Sequence, residues 1–247
     1  IPFMHVVDSQ MLAFNQGVTR RGSYAAYMDV SHPEVEEFIN MRKTTGGDLN
    51  RKCLNLHNGI NITNDFLKAV ENDDEWRLID PKTKTAIKIV SARNLWFQIL
   101  QTRMETGEPY IVNIDNCNAA LPEAQKKLGL EIKQSNLCSE ITLPTNEERT
   151  AVCCLSSVNL EYFDEWSTVE TFIPDLIRML DNVLQHFIDY PLIGDWPQYN
   201  EYMTNKDISL QDFQKACIEE RIGYAKAAYS AYRERSLGLG AMGFHSY

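Results

Sequence analysis

An α/β fold on parallel strands, with a barrel among the forms it can take, follows from two features of this sequence. Short apolar runs of strand character alternate with longer stretches of helical period, the pattern of strand–helix–strand crossovers. Toward the C-terminal end the helical stretches predominate, which predicts a helical segment there.

Residues 24–30 read as a strand and 33–43 as a helix, for which Pro33 suits the first position because it has no amide hydrogen to leave unpaired. Residues 54–62 form a second extended run, after which Thr63 or Asn64 can cap a helix through Val70. Ser91 can cap a stronger helix, with Leu95, Ile99 and Met104 on or near one face and Gly107 as its stop. Residues 110–115 are strand-like, 133–149 polar and irregular, and 152–160 strand-like again. Apolar positions 169, 172, 173, 176, 177, 180, 183, 184 and 187 mark a long amphipathic helix, which Pro174 bends or starts. A last helix covers about 210–235, and no repeat or low-complexity segment interrupts the pattern.

The 247 residues are 44% hydrophobic and 23% charged, a composition that excludes disordered and collagen-like chains. Twenty-four Lys and Arg against 34 Asp and Glu give a net charge of −10, so a nucleic-acid polymer is excluded as the main partner. No apolar run approaches the ~20 residues that span a bilayer, and no signal-peptide pattern opens the sequence, which reads as cytoplasmic. Six cysteines stand at 53, 117, 138, 153, 154 and 217, with no Cys-x-x-Cys and no His pair at helical spacing. Reduced thiols and no metal site are therefore expected. Both ends look cut, Ile1-Pro2-Phe3 opening in apolar sequence and Tyr247 closing without a polar tail. An internal piece of a longer or split polypeptide is the expectation.

Three motifs carry chemical content. Gly238-Leu-Gly240-Ala-Met-Gly243 has the letters of a dinucleotide fingerprint, but a helical pattern precedes it where a strand is required, so the glycines are read as permitting close packing or a turn. The loop 15–23, with two glycines and two arginines, suits a phosphate, a base edge or a carboxylate, against the alternative of a solvated turn. In Ser135-Asn136-Leu137-Cys138-Ser139-Glu140-Ile141, extended backbone would put the Asn136 amide, Cys138 thiol and Glu140 carboxylate on one face at about 7 Å spacing. Such a trio can bind a polyol, supply sulfur chemistry and move a proton; the alternative is a buried structural cysteine between solvated neighbours. None of the five histidines lies near Cys138 in sequence, which favours redox or radical chemistry over a Cys–His hydrolase, and Cys153 is close enough to offer a second thiol. Adjacent Cys153 and Cys154 would point to opposite faces of a strand.

Ser135–Ile141 followed by Ala151-Val-Cys-Cys-Leu-Ser-Ser-Val-Asn-Leu160 closely resembles the large, catalytic subunit of class I ribonucleotide reductase. Ile1-Pro2-Phe3, the Gln16–Gly22 loop, Ser31-His32-Pro33-Glu34, Thr106-Gly107-Glu108-Pro109-Tyr110, Asn113-Ile-Asp-Asn-Cys-Asn118 and Arg235-Ser-Leu-Gly-Leu-Gly-Ala-Met-Gly243 fall in the family's order, most like the phage and bacterial aerobic forms. The resemblance implies residues 1–247 as part of a ten-stranded α/β barrel, incomplete at both ends, with 133–149 as the central finger loop. It makes Cys138 the thiyl-radical cysteine, Glu140 the general base for the 3′-hydroxyl, Asn136 a ligand of the substrate sugar, and Cys153 one member of the reducing dithiol. Gln16 and Arg20 match the specificity loop that couples an effector deoxynucleotide to substrate choice.

The same resemblance implies no cofactor bound directly by this chain. The radical comes from a metal-containing small subunit, the effectors are dNTP or ATP, the electrons come from thioredoxin or glutaredoxin, and the large subunit dimerises. The partner of Cys153, the regulatory domain, the substrate-phosphate loop, the relay tyrosines and the shuttle cysteines lie outside these 247 residues, so the piece is expected to be inactive alone. The competing readings are a non-catalytic remnant or interaction module of a reductase and a fragment of a glycyl-radical enzyme. The Cys153 site and the Gln16–Arg20 loop argue against the second.

Overall fold

The chain, seen in a computed structural model that describes residues 1–17, 19–192 and 208–247, divides into two units, Ile1–Leu143 and Pro144–Tyr247. It is an α/β structure, as the sequence predicts. Among the described residues the strands form sheets of two or three, with no closed barrel.

The first unit opens with α1 (Pro2–Ala13) and a small hairpin of β1 (Asn15–Gln16) and β2 (Arg20–Arg21). Then come β3 (Ala25–Asp29), α2 (Val35–Asn40), β4 (His57–Ile62), α3 (Asn64–Asn72), the hairpin β5 (Glu75–Ile79) with β6 (Ala86–Ser91), α4 (Ala92–Thr106), β7 (Tyr110–Asn113), α5 (Ile114–Ala119) and α6 (Glu123–Lys127). β3, β4 and β7 make a parallel sheet with β4 in the centre and Tyr27, Gly59 and Tyr110 in one row. Successive side chains of a strand take opposite faces. Ile60 and Ile62 accordingly join Val35, Phe38, Ile39, Phe66, Leu95 and Ile99 in the core, and Asn58 Nδ2 donates to the Phe38 carbonyl at 3.0 Å. His57, Gly59 and Asn61 alternate with them.

Caps fix the helix ends where the sequence places them. Thr63 Oγ1, rather than Asn64, accepts from the Phe66 amide at 3.1 Å, and Ser91 Oγ accepts from the Asn94 amide at 3.2 Å. Gly107 ends α4 at φ 82°, where a side chain would be strained.

Several elements differ from the sequence reading. The helix expected over 33–43 is only α2, since Pro33 stays in a turn in which the Glu34 amide donates to His32 Nδ1. α1, α5 and the β5–β6 hairpin lie outside the elements that the sequence pattern predicts; the hairpin turns where the Asp80 carboxylate accepts from the Lys82 and Thr83 amides. The helix expected over 210–235 breaks into Leu210–Ala216, a 3-10 turn at Glu219–Tyr224 and Ala225–Glu234. The cause is tertiary: the Ile218 amide donates to the Pro191 carbonyl at 2.8 Å instead of within a helix.

In the second unit β8 (Cys154–Asn159) is followed by the short α7 (Phe163–Trp166) and the long α8 (Phe172–Asp189), which buries Leu180, Leu184 and Ile188. Pro174 lies in the first turn of α8, where its missing amide hydrogen has no intrahelical partner to lose. Gly238–Met242 lies in β9 (Leu237–Met242), parallel to β8. A Cβ on Gly238 would stand 2.3 Å from Leu155 Cδ2 and one on Gly240 2.9 Å from Ser157 Oγ, so these glycines permit close strand packing and form no phosphate turn. Arg235 ties the start of β9 to α8 through Asp181 Oδ1 at 2.6 Å and Gln185 Oε1 at 2.8 Å.

Phe66 is fully buried, with its ring centroid 5.2 Å from that of Trp76 and 6.3 Å from that of Trp96. Phe66→Ala is expected to lower stability by about 3–5 kcal/mol in denaturant unfolding followed by tryptophan fluorescence.

Candidate functional site

The expected extended geometry at 136–140 gives way to a tight turn. The Asn136 amide donates to the Ile141 carbonyl at 3.1 Å and the Ser139 amide to the Asn136 carbonyl at 3.2 Å. Asn136 Oδ1 accepts from the amides of Glu140 and Ile141, both at 3.0 Å, and Ser139 sits in the left-handed region at φ 67°. A backbone like this competes with a strand because a short Asn side chain can satisfy amides that a ladder would otherwise pair. Asn136, Cys138 and Glu140 therefore do not line one face of a strand. They surround a loop tip on which Cys138 and Glu140 are exposed. The Asn136 side-chain oxygen is occupied by the turn, and Nδ2 is the donor end of the same side chain.

Among the described residues no sheet ladder supports the limb that leads into this turn. Its backbone is paired by side chains: Asn118 Oδ1 accepts from the Ile132 amide at 2.8 Å and Asn118 Nδ2 donates to the Ile132 carbonyl at 3.0 Å. Asn61 Nδ2 donates to the Lys133 carbonyl at 2.9 Å and to Asp29 Oδ1 at 3.0 Å. The Tyr27 hydroxyl donates to the Asn136 carbonyl at 2.7 Å. In the sequence Tyr27 and Asn61 carry no signal of such a role, and Asn118 stands only within the motif Asn113–Asn118. The contacts of Tyr27 and Asn61 span 109 and 72 residues.

A charged cluster lies at the start of β4. Buried Glu108 meets Arg42 Nε at 3.0 Å and His57 Nδ1, and it accepts from the Asn58 amide at 3.0 Å. The His57 ring stacks on Tyr110 at 6.4 Å between centroids. Burial, then the Glu108 charge, raises the Tyr110 phenol above its ordinary value. A cavity of about 810 Å³ in the first unit is lined by Tyr27, Asp29, Asn61, Lys126 and Lys133 among others, and by none of Asn136, Cys138 or Glu140.

Cys153 belongs to the second unit, immediately before β8. Cys154 packs on that unit's core and burial raises its thiol, whereas Cys153 Sγ lies on the other face, 3.7 Å from where a Gly238 Cβ would be. Opposite orientations are what the sequence predicts for the pair. Gln16 and Arg20 pair across the β1–β2 hairpin, and their side chains lie outside the described residues. Among the described residues no group of three or more His, Cys, Asp and Glu could hold a metal ion, and no helix is long and apolar enough to cross a membrane.

The sequence profile described as "Ribonucleotide reductase, barrel domain" matches residues 1–247. A protein of Frog virus 3 (isolate Goorha) that carries a ribonucleoside-diphosphate reductase large-subunit name is 49% identical over 247 residues, covering 100% of this chain and 39% of that protein. The ribonucleoside-diphosphate reductase large subunit of Invertebrate iridescent virus 3 is 40% identical over 303 residues, covering 100% of this chain and 43% of its own length. Among solved structures, the class Id ribonucleotide reductase alpha subunit of Actinobacillus ureae matches with a TM-score of 0.69 and 31% identity, over 99% of this chain and 37% of that one. The chain thus spans about two fifths of the length of these relatives, and the matches do not single out the phage or bacterial type.

Two outcomes are expected of the turn. Asn136→Ala should speed amide hydrogen exchange at Glu140 and Ile141 roughly tenfold through the loss of two acceptor contacts, while Asn136→Asp, which keeps an oxygen there, should not. Burial pushes the Cys53 and Cys217 thiols up to about 11, so at pH 8 only about one in a thousand of either is thiolate. Iodoacetamide at pH 8 should therefore label exposed Cys138 well before these two, as read by peptide mass mapping over time.

Proposed function

We propose, on the premise that this chain belongs to the ribonucleotide reductase barrel-domain family, that it forms the central part of the catalytic barrel of a reductase large subunit. The reaction is reduction of ribonucleotides to deoxyribonucleotides for DNA precursor synthesis, with diphosphates as substrates, in keeping with the names its relatives carry. The observation that supports this reading is the Asn136–Ile141 turn, which presents the Cys138 thiol and the Glu140 carboxylate outward around a self-satisfied backbone.

In this reading residues 133–149 are the finger loop. Cys138, oxidised to a thiyl by a radical from the small subunit, removes the 3′ hydrogen of the ribose. Glu140 takes the 3′-hydroxyl proton, which assists departure of the 2′-hydroxyl as water. Asn136 offers Nδ2 to a sugar hydroxyl. Cys153 and a second cysteine outside this sequence supply two electrons and two protons, one of which completes the departing water, and become a disulfide, which thioredoxin or glutaredoxin reduces, while Cys138 returns its hydrogen to C3′. Gln16 and Arg20 lie in the loop through which a dNTP or ATP effector at a large-subunit dimer interface sets the choice of base. The setting is the cytoplasm, and activity requires the remainder of the large subunit together with the small one.

The test is turnover of ribonucleoside diphosphates by the complete large subunit with its small subunit and thioredoxin. Cys138→Ser is expected to abolish deoxynucleotide formation and Glu140→Gln to lower it by about 10²–10⁴-fold. Undiminished turnover in Cys138→Ser would remove the radical cysteine from this turn. An inactive wild-type assembly would identify the chain as a non-catalytic remnant.

A further inference from the structure

The row Tyr27–Gly59 across β3 and β4 has a shape that the sheet itself does not require. A Cβ on Gly59 would lie 2.4 Å from Tyr27 Cε1 and 2.6 Å from its Cδ1, so the phenol ring is seated on bare backbone. Only glycine leaves that seat open. The seated ring directs its hydroxyl to the Asn136 carbonyl at 2.7 Å. Asn136 is the residue whose other oxygen holds the amides of Glu140 and Ile141. Three residues earlier Asn61, two positions beyond Gly59 on the same face of β4, holds the Lys133 carbonyl at 2.9 Å. The limb is thus gripped at two carbonyls by side chains of neighbouring strands, and the Tyr27 grip is the one nearest Cys138.

We infer that Tyr27 is a positioning residue for the thiol turn: its phenol, seated on Gly59, donates to the Asn136 carbonyl and fixes where Cys138 and Glu140 stand, with Asn61 as the second anchor of the same limb. The inference rests on the proposed reading of Cys138 as the reacting thiol. The bond has one polarity, because a backbone carbonyl can only accept and the phenol must keep its proton to donate. Burial raises the Tyr27 phenol above its ordinary value, countered in part by hydrogen bonds from Ser139 and Ser135, so the donor persists through the neutral range. The donated bond goes to main chain, which leaves the Cys138 and Glu140 side chains free for chemistry.

Tyr27→Phe tests this, since it keeps the ring on Gly59 and removes the hydroxyl that donates to the Asn136 carbonyl. In the complete large subunit with its small subunit, the variant is expected to lose about three- to tenfold in kcat with KM for the ribonucleoside diphosphate unchanged, the range expected from one neutral hydrogen bond. Amide exchange at Ser139, Glu140 and Ile141 should rise by a similar factor while that of β4 stays as in the wild type. Asn61→Ala should loosen Lys133 and its neighbours more than Ser139–Ile141. Wild-type kcat and wild-type exchange in Tyr27→Phe would overturn the inference, and so would faster exchange spread evenly over the first unit, which marks a general structural role. Cys138→Ser run beside it separates the two claims. If that variant stays active, the reading of the site fails, whereas the exchange pattern of Tyr27→Phe still decides the grip.

Discussion

Everything in the first unit depends on a strand that must be buried on both of its faces. β4 is flanked by β3 and β7, so its backbone is paired on both edges, and its side chains then meet different demands on each side. Toward the helices it offers Ile60 and Ile62 to the apolar core, together with Asn58, whose amide group reaches the Phe38 carbonyl. Toward the thiol limb it offers Gly59 and Asn61, one giving room and the other a donor. Burial of polar side chains is unfavourable without partners. Asn58 Nδ2 and Asn61 Nδ2 have theirs, which ties the strand to the segments that supply the carbonyls, while Oδ1 of each stays buried without a partner among the described residues.

A reactive loop faces an opposed pair of requirements. Its side chains must stay available, yet its backbone has to be ordered against about 1–2 kcal/mol of conformational entropy per residue. Here the order comes from hydrogen bonds that leave the Cys138 and Glu140 side chains unused. Asn136 closes the turn with one side-chain oxygen, and Asn118, Asn61 and Tyr27 take the place of a neighbouring strand along the limb. The left-handed Ser139 is the strained residue in this arrangement, and strain of about 1–3 kcal/mol is tolerated where surrounding bonds determine the conformation.

The second unit solves a related problem with glycine. Parallel β8 and β9 lie close because Gly238 and Gly240 leave space for Leu155 and Ser157, on the face that also carries Cys153. The other face, with Cys154 and Val158, turns inward, so two adjacent cysteines of identical chemistry acquire different surroundings from the strand period alone. The buried ion pair of Arg149 with Glu234 anchors the stretch before β8 to the helix Ala225–Glu234 within the same unit.

The sequence by itself determined the class of fold, the caps at Ser91 and near Thr63, the stop at Gly107, the opposed pair Cys153–Cys154 and the membership of a reductase family through its local motifs. Each of these is written in residues a few positions apart, where strand period, helix period and capping chemistry act. Tertiary structure alone decided that the last helical stretch breaks at Ile218 and that Tyr27, Asn61 and Asn118 support the thiol limb. Those outcomes follow from partners tens of residues away: a carbonyl at Pro191, a seat at Gly59, a backbone at 132–136. A hydrogen bond's donor and acceptor have to meet within about 3 Å, and only the folded chain sets which of them do.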